Sequence, residues 1–245
     1  MKNKTILITG GSRGIGAACV AIAQQCGLSV IATARSGEKL DALQKLHPTI
    51  QIIGADISTH KGRKTIADKV NQPLDFLLHN AAVLYPPKKL IEVDSFEFNQ
   101  SISTNVEPLL FLTQALLPQL TQAHNKARIL TMTSRAANNA YAGIGSYCVS
   151  KAAALMITNI LKAELKPLGI LINNYSPGVV DTAMQKTLRS STDEIFPYSS
   201  DFKRLKTDNQ LATATQVAQH IINNFMTLSE TGFSGNTLDR TLDRP

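Results

Sequence analysis

Three residues near the middle of the chain are of types that perform acid–base chemistry when brought together: Ser134, Tyr147 and Lys151. Tyr147 and Lys151 stand four positions apart in Ser146-Tyr-Cys-Val-Ser-Lys-Ala152, which reads as the start of a helix, so both project from one helix face. A free phenol has a pKa of about 10, too high for efficient proton transfer near neutrality. An ammonium one turn away favours the phenolate. Lowering the phenol by about two or three units takes roughly 3–4 kcal/mol of differential stabilisation. Taken alone, the Tyr-x-x-x-Lys spacing is common, and a surface tyrosine beside a solvated lysine is its ordinary explanation. Ser134 alters that reading. It lies thirteen residues before Tyr147 and closes the run Ile129-Leu-Thr-Met-Thr-Ser134. A hydroxyl there can hold a substrate carbonyl oxygen and stabilise the alkoxide that develops on it. Strand-end serines are also frequent turn residues, so only the joint occurrence carries the chemistry.

Such residues need elements to position them. Short runs rich in Ile, Leu and Val recur at Thr5–Thr9, Ser29–Thr33, Gln51–Gly54, Phe76–His79, Arg128–Thr133 and Leu171–Tyr175, the pattern of strands buried on both faces. Amphipathic segments near 15–38, 37–46, 60–70, 95–123 and 146–166 alternate with them. This rhythm predicts an α/β chain: one domain over residues 1–245, Rossmann-like, with a doubly wound parallel sheet and helices on both faces. No repeat or linker divides it. The stretch 183–212 is polar and irregular and follows the sixth strand, where loops of such sheets surround the ligand, so it is a candidate substrate lid or else a long surface excursion.

Between the first strand and the first helix lies Thr9-Gly-Gly-Ser-Arg-Gly-Ile-Gly16. Gly10 permits a tight turn. Gly14 and Gly16 let backbone approach a pyrophosphate and let helix pack on strand, while the helix N-terminus offers N–H groups to phosphate. The spacing is GxxxGxG rather than GxGxxG, and Gly10, Ser12, Arg13, Gly14, Ile15 and Gly16 are the candidate cofactor contacts. The second strand decides which dinucleotide. An acidic residue at its end would meet the ribose 2′-hydroxyl of NAD, but here the strand ends at Arg35. A guanidinium pairs with a 2′-phosphate, and Arg13 can reach the same group, so NADPH/NADP+ is expected over NADH.

Taken in order, Thr9–Gly16, His79-Asn-Ala-Ala82, Asn105, Ser134, Tyr147 with Lys151, and Ser176-Pro-Gly178 with Thr182 resemble the short-chain dehydrogenase/reductase family over about residues 4–182. The resemblance implies that Tyr147 donates the proton to the carbonyl and that Lys151 tunes Tyr147 and binds the nicotinamide ribose. It implies that Ser134 positions the substrate oxygen and that Asn105 keeps a water in the proton relay to Lys151. Asp56, with Ile57 beside it, resembles the acidic contact to adenine. Asn80 resembles the asparagine that steadies the central sheet, with its neighbours Ala81 and Ala82 lining the cofactor. Pro177, Gly178, Val180 and Thr182 resemble the loop that holds the carboxamide end of nicotinamide. The usual Asn-Asn-Ala-Gly is replaced by His79-Asn-Ala-Ala82, and His79 is expected to be a hydrogen-bonded core residue rather than a catalyst. Ser176-Pro-Gly-Val-Val-Asp-Thr-Ala-Met-Gln185 is similar to the sepiapterin reductase/benzil reductase branch, whose members reduce vicinal dicarbonyl compounds. There Asp181 is either a turn or capping carboxylate or a contact to a polar substrate group. The loop 135–145 is mostly small and uncharged and brings Tyr141, so it can admit an aromatic or apolar carbonyl substrate.

Composition narrows the rest. The net charge is +7, but Lys and Arg are scattered, which excludes a nucleic-acid partner and fits an anionic cofactor. No apolar run approaches the ~18 residues of a membrane span, and the N-terminus lacks a signal-peptide pattern. Cys19, Cys26 and Cys148 have no metal spacing, so no metal is expected, and they read as reduced thiols of a cytoplasmic protein. The helices near 95–123 and 146–166 resemble the family's dimer-forming pair, implying a homodimer or homotetramer. The rival readings are a 3-oxoacyl-thioester reductase and a non-catalytic NADPH-sensing protein. The C-terminus, Phe233 to Pro245, holds a last strand followed by a polar tail.

Overall fold

The computed structural model describes residues 4–35 and 37–240; the end of the polar tail lies outside them. Seven parallel strands form one sheet: β1 (Thr5–Thr9), β2 (Ser29–Ala34), β3 (Gln51–Gly54), β4 (Phe76–His79), β5 (Arg128–Met132), β6 (Leu171–Ser176) and β7 (Leu238–Asp239). Their spatial order is β3-β2-β1-β4-β5-β6-β7. The expected doubly wound sheet is therefore present, with the first six strands placed within one residue or so of the sequence reading. The chain winds outward from β1 to β3, then crosses back to place β4 on the other side of β1. That reversal opens a crevice at the C-terminal ends of the strands, where ligands of such sheets bind.

Alternate residues of each strand face opposite sides. In β1, Ile6 and Ile8 join one apolar core and Leu7 the other. The first core is covered by α1 (Gly14–Gln25), α2 (Glu38–Leu46) and α10 (Ala214–Thr227). The second is covered by α3 (His60–Lys69), α5 (Glu107–Ala115), α6 (Leu117–Thr121) and α7 (Gly145–Glu164). The remaining helices are α4 (Ser95–Asn105), α8 (Ala183–Arg189), α9 (Ser199–Thr207) and α11 (Glu230–Phe233).

Several helical readings need correction. The segment near 15–38 ends at Gln25, because Gly27 turns the chain at φ 77° and the next residues enter β2. The segment 95–123 is three helices rather than one. Breaks fall at Val106 and Leu116, each followed by a first turn holding a proline, Pro108 or Pro118, whose missing N–H is harmless only there. The stretch 183–212 is not irregular, for it contains α8 and α9. No helix among the described residues is long and apolar enough to cross a membrane.

Candidate active site

The glycine loop is held from beneath by β4. Thr9 Oγ1 accepts from the main-chain N–H groups of Asn80 and Ala81 at 3.0 and 3.1 Å. Asn80 Nδ2 returns a bond to the Thr9 carbonyl at 2.8 Å. A Cβ on Gly16 would come within 2.2 Å of the Gly10 carbonyl, so only glycine lets α1 start against this turn. Arg13 is the residue before the first helical turn and gives it no side-chain cap, which leaves the leading N–H groups of α1 for a ligand. Arg13 and Arg35 are exposed, and neither has a carboxylate partner among the described residues. These features fit a phosphorylated dinucleotide: a cradle with no room for a Cβ, unsatisfied helix N–H groups and two unpaired guanidiniums.

Further along the crevice, Asp56 is exposed. Its Oδ1 accepts from the Ser58 N–H at 3.0 Å and from the Ser58 hydroxyl at 2.7 Å, forming a turn. The Ile57 side chain points into the second core and not into the crevice. Ala82 is half-buried. His79 is buried at the end of β4, with Nε2 at 3.0 Å from Thr113 Oγ1. Burial pushes its pKa down to about 3, so it stands neutral in the core.

Ser134 sits at the end of β5, where its Oγ accepts from the Ala136 N–H at 3.2 Å and opens a short 3₁₀ turn. Tyr147 lies in the first turn of α7 and lines the same cleft as Ser134. Lys151, one turn further, is buried; its Nζ lies 5.6 Å from the Tyr147 ring centroid and donates to the Met132 carbonyl at 2.8 Å. The three residues thus meet at one place. The expected depression of the phenol is not a property of the polypeptide alone. Burial pushes Tyr147 up to about 12, against which the Ser134 hydroxyl pulls down. Burial also pulls Lys151 down to about 8. The ammonium lies beside the ring and is engaged by a carbonyl, so desolvation outweighs its effect on the phenol.

Asn105 uses its whole carboxamide on protein. Oδ1 accepts from the Val83 N–H at 2.8 Å, and Nδ2 donates to the Val83 carbonyl at 3.0 Å and to Ser150 Oγ at 2.9 Å. Ser150 in turn donates to the Tyr147 carbonyl. The side chain therefore clamps the loop after β4 to α7. Asn105 closes α4, at the break before α5.

Beyond β6, Gly178 turns at φ 69°, and Val180 is buried and forms a parallel bridge to Ala212. Thr182 caps α8, and its methyl would lie 3.7 Å from a Cβ on Gly14, so this loop overhangs the glycine turn. The Pro177 carbonyl is held by Arg240 Nε at 2.9 Å. Together they enclose a cleft of about 170 Å³ bounded by Ile15, Ser134, Tyr141, Tyr147, Pro177, Gly178, Val180 and Thr182. Its outer wall comes from residues that the sequence did not single out as lining: Leu84, Ile144, Met184, Gln185, Leu188, Phe196 and Phe202. The wall is pinned by aromatic edges. Tyr141 meets Tyr198 at 5.1 Å and 81°, while Phe196 meets both Tyr198 and Phe202. The Gly143 backbone lies so close to the Ile195 carbonyl that a Cβ would fall 2.4 Å from it.

Asp181 does not line this cleft. Its carboxylate pairs with Arg189 at 3.3 Å and Lys206 at 2.6 Å, which ties α8 to α9 and holds its pKa below the usual carboxylate range. The structure engages the Asp181 carboxylate in this ion-pair bridge, and the capping position belongs to Thr182.

The family model described as short chain dehydrogenase matches residues 4–193. The chain belongs to this family. Among curated members, a benzil reductase ((S)-benzoin forming) of Bacillus subtilis (strain 168) is 27% identical over 216 residues, covering 86% of this chain and 89% of the relative. An L-xylulose reductase of Mesocricetus auratus is 29% identical, covering 76% of each. Among solved structures, the KRED1-Pglu enzyme has a TM-score of 0.86 at 26% identity, covering 96% of this chain and all of its own. A short-chain dehydrogenase/reductase from Saccharomyces cerevisiae also reaches 0.86 at 26%, covering 99% and 97%. Membership makes the chain an oxidoreductase of small molecules, from a family that uses nicotinamide dinucleotides.

Proposed function

We propose that this short-chain dehydrogenase is an NADPH-dependent carbonyl reductase whose substrate is a small vicinal dicarbonyl compound of benzil or sepiapterin type. The observation that carries this reading is that Ser134 and Tyr147 line a cleft whose other walls are largely apolar, with Lys151 buried against the Tyr147 ring. When bound, NADPH supplies the hydride. Ser134 and Tyr147 hold the substrate carbonyl oxygen, and the Tyr147 Oη delivers the proton to it as negative charge develops. A phenol pushed up to about 12 keeps its proton until that moment. Lys151, fixed by the Met132 carbonyl, supplies the positive charge that stabilises the phenolate afterwards. Asn105 and Ser150 fix α7 against the loop after β4, so the tyrosine is held in place before substrate arrives.

Several further assignments belong to the same reading. Gly10, Ser12, Gly14, Ile15 and Gly16 receive the pyrophosphate, and Arg13 with Arg35 the 2′-phosphate. Asp56, Ile57 and the segment Asn80 to Ala82 flank the adenosine, with Ile57 contributing main chain only. Pro177, Gly178, Val180 and Thr182 hold the nicotinamide. Residues 1–245 work as one unit, with 183–212 as its substrate cover. The exposed apolar residues Phe96 on α4, Leu110 and Phe111 on α5, and Val149, Met156 and Ile160 on α7 support a homodimer through that face. The three free cysteines support a cytoplasmic protein. The benzil reductase relative and the compact cleft favour a dicarbonyl over a 3-oxoacyl thioester, and the intact Ser134–Tyr147–Lys151 set favours catalysis over sensing. The test is NADPH consumption with a vicinal diketone, a pterin ketone and a 3-oxoacyl thioester. Preference for the diketone or pterin is expected; preference for the thioester, or binding of NADPH with no turnover on any of them, refutes it.

A further inference from the structure

Among the hydrogen-bond donors that line the cleft and that the reaction above leaves unused, Gln185 is held by a built network of charges. Gln185, the third residue of α8, is only 6% exposed, and it lines the same cleft as Ser134 and Tyr147. Its carboxamide is oriented by charges. Arg189 Nη1 donates to Gln185 Oε1 at 3.3 Å, while Arg189 Nη2 reaches Asp181 at 3.3 Å. Lys206, on α9, grips Asp181 from the other side at 2.6 Å. A guanidinium only donates, so the carbonyl half of the amide must face Arg189 and the amino half must turn away from it. Gln185 Nε2 has no acceptor among the described residues, and the residue it belongs to lines the cleft. Its surroundings there are Met184, Leu188, Phe196 and Phe202. A ligand that displaces water from such an amide N–H must bring it an acceptor or leave it unpaired at a cost.

We infer that Gln185 Nε2 donates to the second, unreduced oxygen of a vicinal dicarbonyl while Ser134 and Tyr147 hold the first, and that this contact selects dicarbonyls over simple ketones. The inference rests on the reading of the cleft as a dicarbonyl reductase site and adds the residue that recognises the substrate class. A site built to bond a substrate oxygen discriminates against an analogue that lacks it, because the buried donor is then left unpaired. Asp181 and Arg189 are positioning residues that act through the amide.

The test compares benzil with deoxybenzoin, the matching monoketone, in the full-length enzyme with NADPH. The readout is the ratio of kcat/KM for the two. In Gln185→Leu the ratio is expected to fall about tenfold or more relative to wild type. Gln185→Glu preserves size and strengthens the Arg189 pair but has no donor at neutral pH, so the ratio should fall as far. Arg189→Met releases the amide to rotate and should lower the ratio by roughly threefold, through the diketone KM rather than kcat. Arg189→Lys should recover part of that loss. Equal loss on both ketones would mark Gln185 as structural and overturn the inference. So would an unchanged ratio in Gln185→Leu and Gln185→Glu with NADPH binding intact. If the wild-type enzyme reduces neither ketone, the dicarbonyl reading itself falls and takes the inference with it. If it reduces benzil while the variants keep the wild-type ratio, only the role of Gln185 falls.

Discussion

The two ends of the cleft are built in different ways. The cofactor end is main chain: a glycine turn braced by Thr9 and Asn80, with glycine where a side chain would strike a carbonyl. The substrate end is side chain: aromatic edges, an Asp181 double ion pair and two short helices laid across the opening. Backbone recognition tolerates almost no substitution, because each contact depends on φ, ψ and the absence of a Cβ. Side-chain recognition can be altered one residue at a time.

Substitutions at each end should expose that contrast. The largest effect is expected from Gly16→Ala, where the added Cβ meets the Gly10 carbonyl. Stability should fall by about 1–3 kcal/mol and NADPH affinity by about 100-fold, read by thermal melting and cofactor titration. Retention of wild-type affinity would show that the turn is not the rigid part. Arg35→Asp comes next. Loss of a charge-assisted bond to phosphate should weaken NADPH by roughly 10–100-fold while NADH changes far less. Equal change with both cofactors would reject the phosphate contact.

At the substrate end, Gly143→Ala adds a Cβ 2.4 Å from the Ile195 carbonyl at a residue with φ 86°. The cover should shift and the ketone KM rise about tenfold with NADPH affinity preserved, since overpacking costs about 1–3 kcal/mol but here only locally. A matching loss of NADPH affinity would mean that the two ends are mechanically one. A further effect concerns neither end. His79 is buried neutral with its pKa pushed to about 3, so below about pH 6.5 the unfolded chain takes up a proton that the folded chain refuses. Stability present above that pH is lost as pH falls toward 3, with a slope of at most about 1.4 kcal/mol per pH unit from this group. His79→Asn should remove that part of the acid sensitivity, seen as a smaller drop in denaturation midpoint between pH 7 and 5.

The same contrast explains what the sequence made legible. The first six strands could be placed because both of their faces are buried, so apolar runs bounded by turns mark them directly. The glycine turn, Asn80, Ser134, Tyr147 and Lys151 stand at fixed local spacing, so they can be singled out together. The outer wall does not. Asp181 looked available because its partners, Arg189 and Lys206, stand eight and twenty-five positions away and meet it only after α8 and α9 pack. Phe196, Phe202 and Leu188 line the cleft through the same packing. Two further features have local signals. The prolines at 108 and 118 mark restarts in the run 95–123. Thr213 with Gln216 forms a capping box before Val217, Ala218, Ile221, Ile222 and Phe225, the start and buried face of α10. The raised pKa of the Tyr147 phenol is hidden for a different reason: the spacing shows the ammonium, but the burial that opposes it depends on the whole fold.

The central claim is that one phenolic hydrogen passes to a substrate held in a nicotinamide-bearing cleft. Tyr147→Phe removes that hydrogen and leaves the shape. Single-turnover loss of NADPH absorbance with benzil, beside NADPH titration of the same protein, should show wild-type cofactor affinity and a rate lower by about 10²–10⁴-fold. A near-wild-type rate from a well-folded Tyr147→Phe protein would contradict the account.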